Sequence, residues 1–285
     1  MTSDGQVPDL GERPALPAVV ATDLDGTLLD GEGLVGARNV AVLSRLAELG
    51  VHIVFVTGRP PEMVGVIADE VGHTGLAICS NGAIVLDMKT LLPVIEYLLD
   101  ADVARKIWAH VSADVPGCTF GVQLDDRFIC EAAYPYDPWY PGGPEIVPTA
   151  ADLFGVPIAK LVIRQSGVGG DLLLAQCRSA VAGGGLTDLA ELTISGPTGF
   201  VEVSAAGVSK ASTLAHVCEQ WGVGPEAVVA FGDMPNDVSM LGWAGLSYVM
   251  HGGHPDAAAV ADGIAPSNDD SGVAQVLEQL FAPVL

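Results

Sequence analysis

Short runs dense in Val, Ile and small apolar residues punctuate the chain at Ala18–Thr22, His52–Thr57, Leu76–Ser80, Val228–Phe231 and Leu246–Met250. Runs of this length and composition predict strands. Between several of them the apolar positions take helical spacing, as at Val40, Leu43, Leu46 and Ala47 with Gly50 as the expected stop, and again over Ala211–Trp221. This alternation predicts an α/β core with a doubly wound, mainly parallel sheet.

The middle of the chain breaks the rhythm. Residues 86–204 carry hairpin-like runs, strands at Ala159–Arg164 and Phe200–Val203, and helices around Asp102–Val111 and Asp171–Val181. That is enough for a separate small α+β domain. Sheet strands lie on both sides of it, so the expected organisation is a discontinuous core, 17–85 and 205–285, with 86–204 inserted. Two chain crossings would then serve as a hinge, and a hinged insertion over a crevice commonly acts as a lid. Residues 1–16, polar with Pro and Gly, predict a loose lead-in.

Composition narrows the possible partners. Hydrophobic residues make up 49% of the 285 and charged residues 16%, enough for a substantial core. The net charge of −23, with lysine only at Lys89, Lys106, Lys160 and Lys210, argues against a nucleic-acid backbone as partner. A small phosphorylated metabolite remains admissible, because a local metal and a few cations can override the global field inside a pocket. No obligate protein partner is evident. No apolar run approaches the ~20 residues that span a bilayer and the lead-in has no basic or apolar leader, so no membrane association and a cytoplasmic location are expected. The scattered cysteines (Cys79, Cys118, Cys130, Cys177, Cys218) lack zinc spacing and read as reduced packing thiols.

The chemistry gathers at strand ends. The first strand runs through VVATDLDGTLLD, placing Asp23 and Asp25 at its C-terminal end, where open α/β sheets keep their ligand crevice. Two carboxylates there can share a divalent cation, although Asp-Gly alone is also a common turn. The second strand ends VFVTGRP, placing the Thr57 hydroxyl and the Gly58 N–H where an anion could be gripped; the third ends CSNGA, with Asn81 and Gly82 at the same edge. Lys210 in AAGVSKAST stands near a predicted helix start, and AVVAFGDMPND leaves Asp233, Asn236 and Asp237 after an apolar strand. Alone, Asp-Gly reads equally well as a turn, Thr-Gly and Asn-Gly read as turns and Lys210 as a solvated side chain, whereas three acidic or amide groups straight after a buried strand do not read as surface dressing. Together they describe an oxygen-ligand site suited to Mg²⁺ facing phosphate-binding groups.

The ordered set DLDGT, VTGR, SKAST and GDMPND resembles the four motifs of the haloacid dehalogenase superfamily of phosphatases. The long insertion and SNGA resemble its Cof-type branch, which carries a large α/β cap. The resemblance spans nearly the whole chain from about residue 18. It implies a Mg²⁺-dependent phosphomonoester hydrolase acting on sugar phosphates or related small metabolites, with Asp23 as nucleophile forming an aspartyl-phosphate and Asp25 as general acid and base. It implies Mg²⁺ at Asp23, Asp25 (through its carbonyl) and Asp233, with Asp237 a further ligand or an outer-shell acceptor. It also implies that Thr57, Gly58, Lys210 and Asn236 hold the phosphoryl oxygens or a metal-bound water.

Arg127, Lys160 and Arg164 are candidate cap cations for a second acidic group on the substrate, and Tyr134–Pro144 could offer aromatic faces to a ring. His110, His251 and His254 read as bystanders. A phosphomutase, and a non-enzymatic phosphometabolite-binding regulator, are the alternatives on the same fold; a dehalogenase would not need Lys210, Asp233 and Asp237 around Mg²⁺.

Overall fold

All four residues of β1 (Val19–Thr22) are buried, as an unbroken apolar run requires when helices cover both faces of a parallel sheet. In this computed structural model, β1 stands between β2 (His52–Val56) and β12 (Val228–Gly232), both parallel to it. β3 (Leu76–Cys79) continues the parallel sheet beside β2, and β13 (Leu246–Met250) and β14 (Gly263–Ala265) continue it beside β12. The structure describes residues 16–67, 72, 75–124, 127–135, 143–196 and 198–282. Nearly all of the expected lead-in, and residues 136–142 of the aromatic loop, lie outside them.

Helix α1 (Ala37–Glu48) packs with α7 (Gly272–Phe281) on one face of this sheet. α4 (Lys210–Gln220), the short α5 (Val238–Trp243) and a single turn, α6 (Pro255–Ala258), cover the other. The buried stripe of α1 is Asn39, Val42, Leu43 and Leu46, turned from the expected one: Val40 is half-buried and Ala47 exposed. Asn39 causes the turn, because its buried amide donates to Leu28 O and accepts from Ala274 N, fastening α1 to α7 and to the segment after β1.

β4 (Ile84–Asp87) and β5 (Leu92–Glu96) extend the large sheet as antiparallel strands beyond β3. β5 falls inside the segment expected to be inserted, yet it pairs with the core. A second, six-stranded sheet begins at β6 (Thr119–Gln123) and takes in β7 (Phe128–Glu131), β8 (Glu145–Val147), β9 (Lys160–Gly169), β10 (Ala190–Thr193) and β11 (Thr198–Ala205), in the order β10–β11–β9–β6–β7–β8. α2 (Ala101–Asp114) and α3 (Gly170–Gly183) share one hydrophobic cluster with this sheet. The result is a doubly wound core carrying an inserted α+β cap. All five cysteines are free thiols.

Candidate active site

Four adjacent parallel strands, β12, β1, β2 and β3, end at one edge of the sheet. The residues that follow them are Asp233, Asp23, Thr57 and the Ser80–Gly82 turn. Asp23 continues the ladder by donating its N–H to Phe231 O at 3.0 Å. The chain then turns at Gly26, with φ +74°, where a Cβ would meet Asp233 Oδ2 at 2.5 Å. Glycine here lets the β1 and β12 loops touch, and Thr27 Oγ1 donates to Asp233 Oδ1 at 3.1 Å.

Lys210, the first residue of α4, has no solvent exposure. Its Nζ donates to Asp23 Oδ1 and Asp237 Oδ1, each at 2.6 Å. Asp237 uses its other oxygen to accept from the Asp233 and Met234 amides, both at 3.0 Å. Both Asp237 oxygens are therefore engaged within the protein. Gly82 is what brings α4 to this place: with φ +109°, its missing Cβ leaves room for Ser209 O, which would otherwise lie 2.4 Å away. Its carbonyl accepts from Thr213 Oγ1 at 2.8 Å.

Carboxylate oxygens of Asp23, Asp233 and Asp237 lie within 4.8 Å of one another. Burial pushes Asp233 up to about 7, helped by the Asp237 charge and only partly opposed by Lys210. Asp23 is likewise held well above the ordinary aspartate value of 3.8, first by burial, then by Asp237, Asp233 and Asp25, against the pull of Lys210. Burial alone would lower Lys210, but its two carboxylate partners raise it and keep it charged. One ammonium is thus shared among more negative charge than it neutralises.

A cavity of about 380 Å³ lies between this edge and the cap. Asp23, Asp25, Gly58 and Asn236 line it, together with Arg59; Thr57, Asn81, Gly82, Lys210, Asp233 and Asp237 do not. Thr57 is wholly buried, with its hydroxyl accepting from the Arg59 N–H at 3.0 Å. Asn81 lies beneath the cavity and accepts from Asn236 Nδ2 at 3.0 Å. These two side chains brace the cavity floor. The cap contributes Phe128, Tyr134, Val162, Phe200 and Arg164 to the opposite wall.

Two charged residues escaped the sequence reading. Arg59 grips Asp25 with two parallel bonds, Nε to Oδ2 at 2.8 Å and Nη2 to Oδ1 at 2.6 Å. Glu202 is paired with Lys160 inside the cavity wall, so the charge of Lys160 is neutralised before any substrate anion arrives. Of the other candidate cations, Arg164 donates to Pro135 O in the wall, whereas Arg127 pairs with Glu145 and does not line the cavity. His254 is closer to the site than expected, since its backbone N–H donates to Asp233 O at 2.7 Å.

A family model described as haloacid dehalogenase-like hydrolase matches residues 20–277. The chain belongs to that family. The chain is 28% identical over 260 residues to the 5-amino-6-(5-phospho-D-ribitylamino)uracil phosphatase YcsE of Bacillus subtilis, covering 91% of this chain and 94% of the other. A second phosphatase described by the same substrate, YitU of B. subtilis, is 24% identical, with 93% and 98% covered.

Among solved structures, SMU.1108c of Streptococcus mutans superposes with a TM-score of 0.81 at 22% identity over 93% of this chain and 99% of that one. The HAD subclass IIB sugar phosphatase BT4131 gives a TM-score of 0.77 at 17% identity, with 94% and 99% covered. These structures share the cap-inserted fold. In this haloacid dehalogenase-like hydrolase, no helix among the described residues is long and apolar enough to cross a membrane.

Proposed function

We propose that the protein is a Mg²⁺-dependent hydrolase of phosphoric monoesters working through an aspartyl-phosphate on Asp23. The observation that carries this reading is the position of Asp23, on the cavity floor with one carboxylate oxygen held by Lys210. A nucleophile fixed in that way keeps its second oxygen for in-line attack on phosphorus. Asp25, the neighbouring cavity carboxyl, is oriented by Arg59; carrying a proton, with one of the two guanidinium bonds released, it protonates the departing alkoxide, and the carboxylate left behind takes a proton from the attacking water. The Gly58 N–H in the cavity lining, and Lys210 from behind Asp23, counter the charge that builds on the phosphoryl oxygens.

The donor set fits a hard divalent cation. It consists of oxygens only, its carboxylates carry excess charge, and Asn236 Oδ1 is buried without a hydrogen-bond partner, an acceptor left for a bound water. Asp23 and Asp233, with the Asp25 carbonyl, would hold the ion. Asp237 has both oxygens occupied and acts one step back, fixing Lys210 and the Asp233 loop. Bound there, Mg²⁺ would neutralise the carboxylates and draw charge from the phosphoryl group.

The pH dependence of ion binding follows from the raised carboxyls. Between 3.8 and about 7 the ion-free folded protein keeps a proton on Asp233 that the unfolded chain has released, so this site costs stability increasingly as pH rises through that window. A cation that favours the ionised form removes that cost. The increase in melting temperature on adding Mg²⁺ should therefore be larger at pH 8 than at pH 5, as differential scanning fluorimetry would report. Equal increases at both pH values would contradict the assigned ion site.

The substrate reading rests on the cap wall. Phe128 and Tyr134 meet edge to face at 5.4 Å between centroids, and with Val162 and Phe200 they form an apolar cluster bordering the cavity. Such a wall suits a planar, uncharged ring attached to the phosphorylated portion. The substrate class is a sugar or polyol phosphate bearing a heterocycle, of which 5-amino-6-(5-phospho-D-ribitylamino)uracil, named for the two B. subtilis relatives, is one.

The test is phosphate release with Mg²⁺ from that compound, flavin mononucleotide, pyridoxal phosphate, nucleotides and plain sugar phosphates. Ring-bearing esters should have the highest kcat/KM. A preference for plain hexose phosphates would overturn the substrate class, and no hydrolysis of any ester by protein that binds Mg²⁺ would overturn the enzyme reading.

A further inference from the structure

Lys160 and Glu202 form an ion pair that neither the carboxylate cluster nor the apolar wall accounts for. Both stand on neighbouring strands of the cap, β9 and β11, with side chains only 9% and 2% exposed. Buried ion pairs gain little net stability, because desolvation offsets their attraction; apolar replacements often serve as well. This pair has a third partner in the core, where Lys160 Nζ donates to Gly58 O at 2.7 Å.

That carbonyl belongs to the planar peptide unit joining Gly58 to Arg59. The N–H of the same unit donates to Thr57 Oγ1, so it is pinned from the cap at one end and from the core at the other. Gly58 is closely flanked: a Cβ on it would lie 3.2 Å from Asn81 Oδ1, a tight approach, and 3.6 Å from Glu202 Oε1, ordinary contact. From this unit extends the Arg59 guanidinium that holds Asp25.

We propose that Lys160 is a positioning residue: with Glu202 it grips the Gly58–Arg59 peptide from the cap and thereby aims Asp25 at the leaving group only when the cap is seated on the core. Lys160 acts through the peptide and touches no substrate phosphate. Glu202 holds the lysine to that task and keeps it from binding a substrate anion. The cap thus contributes to proton transfer as well as to selection of the substrate. This rests on the hydrolase reading above.

The experiment compares two leaving groups. An alkyl phosphate needs a proton from Asp25 as its oxygen departs, whereas p-nitrophenyl phosphate releases a stable phenolate and needs little help. The double variant Lys160→Met with Glu202→Leu removes both buried charges together. It should lose on the order of 10- to 100-fold in kcat/KM on the alkyl ester, the usual scale for misplacing a catalytic group, and much less on the aryl ester; kcat/KM reads the steps up to departure of the leaving group and leaves out the later water step common to both.

Equal losses on both esters would mean general disturbance of the site and would overturn the proposal, as would no loss. If the double variant does not fold, Lys160→Arg and Glu202→Gln are read by the same alkyl-to-aryl ratio, and an unchanged ratio in both overturns it. A wild-type protein that hydrolyses neither ester refutes the hydrolase reading; an active wild type with an unmoved ratio refutes only the role of Lys160.

Discussion

Asp23→Asn should fold normally and lose phosphate release by at least about 10⁴-fold, the order expected when a covalent nucleophile is removed. The amide keeps the shape of the side chain and can still accept from Lys210, so substrate binding should survive. Stability is expected to hold or rise. Burial and three neighbouring carboxylates oppose ionisation of Asp23, so at pH 8 without metal its charge costs folding energy that the neutral amide does not. Two measurements decide the matter: steady-state kinetics with the best substrate, and thermal unfolding at pH 8 without metal. Hydrolysis near the wild-type rate would remove Asp23 from the nucleophile role, and a clear drop in metal-free stability would contradict the electrostatic account.

Lys210→Met should damage both activity and folding. Among the described residues the ammonium is the single cation bonded to Asp23 and Asp237, and it is wholly buried. Removing one member of such a cluster leaves buried charge uncompensated and typically costs about 3–5 kcal/mol. Loss of its contribution beside the phosphoryl group should lower kcat by about 10²- to 10³-fold, the scale seen when an oxyanion donor is deleted.

The stability deficit carries a pH signature. Without Lys210 the carboxylates favour protonation still more strongly in the folded state, so the deficit should be small at pH 5 and grow as pH rises toward 8. Urea unfolding at the two pH values would measure it. A deficit independent of pH would point to lost packing of the lysine stem and away from charge.

The catalytic edge was legible in the sequence because its parts are local. Asp23, Asp233 and the Thr57–Gly58 turn each terminate an apolar run, and in a doubly wound sheet parallel strands deliver such ends to one edge. What could not be read is which partner each side chain takes. Thr57 carries the hydroxyl expected of a phosphate ligand, and spacing does not tell that its oxygen also accepts from the Arg59 amide where the β2 and β3 loops interlock beneath the cavity. Gly82 looks like a turn at a ligand edge, but its freedom serves the close approach of α4.

Arg59 stood in plain view in VTGRP, and nothing in its spacing tells that it would span to Asp25. Glu202 had one visible signal, a lone carboxylate within the apolar run FVEVS, where an inward-facing charge demands a partner. The shift of the α1 stripe has the same origin: Asn39 is polar, and its burial depends on carbonyl and amide groups supplied by Leu28 and Ala274, far away in sequence.

The pairing of β1 with β12 sets Val19 against Val228, with the whole cap between them in sequence. During synthesis Asp23 emerges early and waits, while the entire cap is made and can collapse around its own cluster, before Lys210, Asp233 and Asp237 appear. Pairing across so long a loop is slow and comes late. A chain that has not yet set β12 beside β1 therefore lacks the complete carboxylate cluster, so the capacity to cleave phosphate esters waits on the pairing that closes over the whole cap.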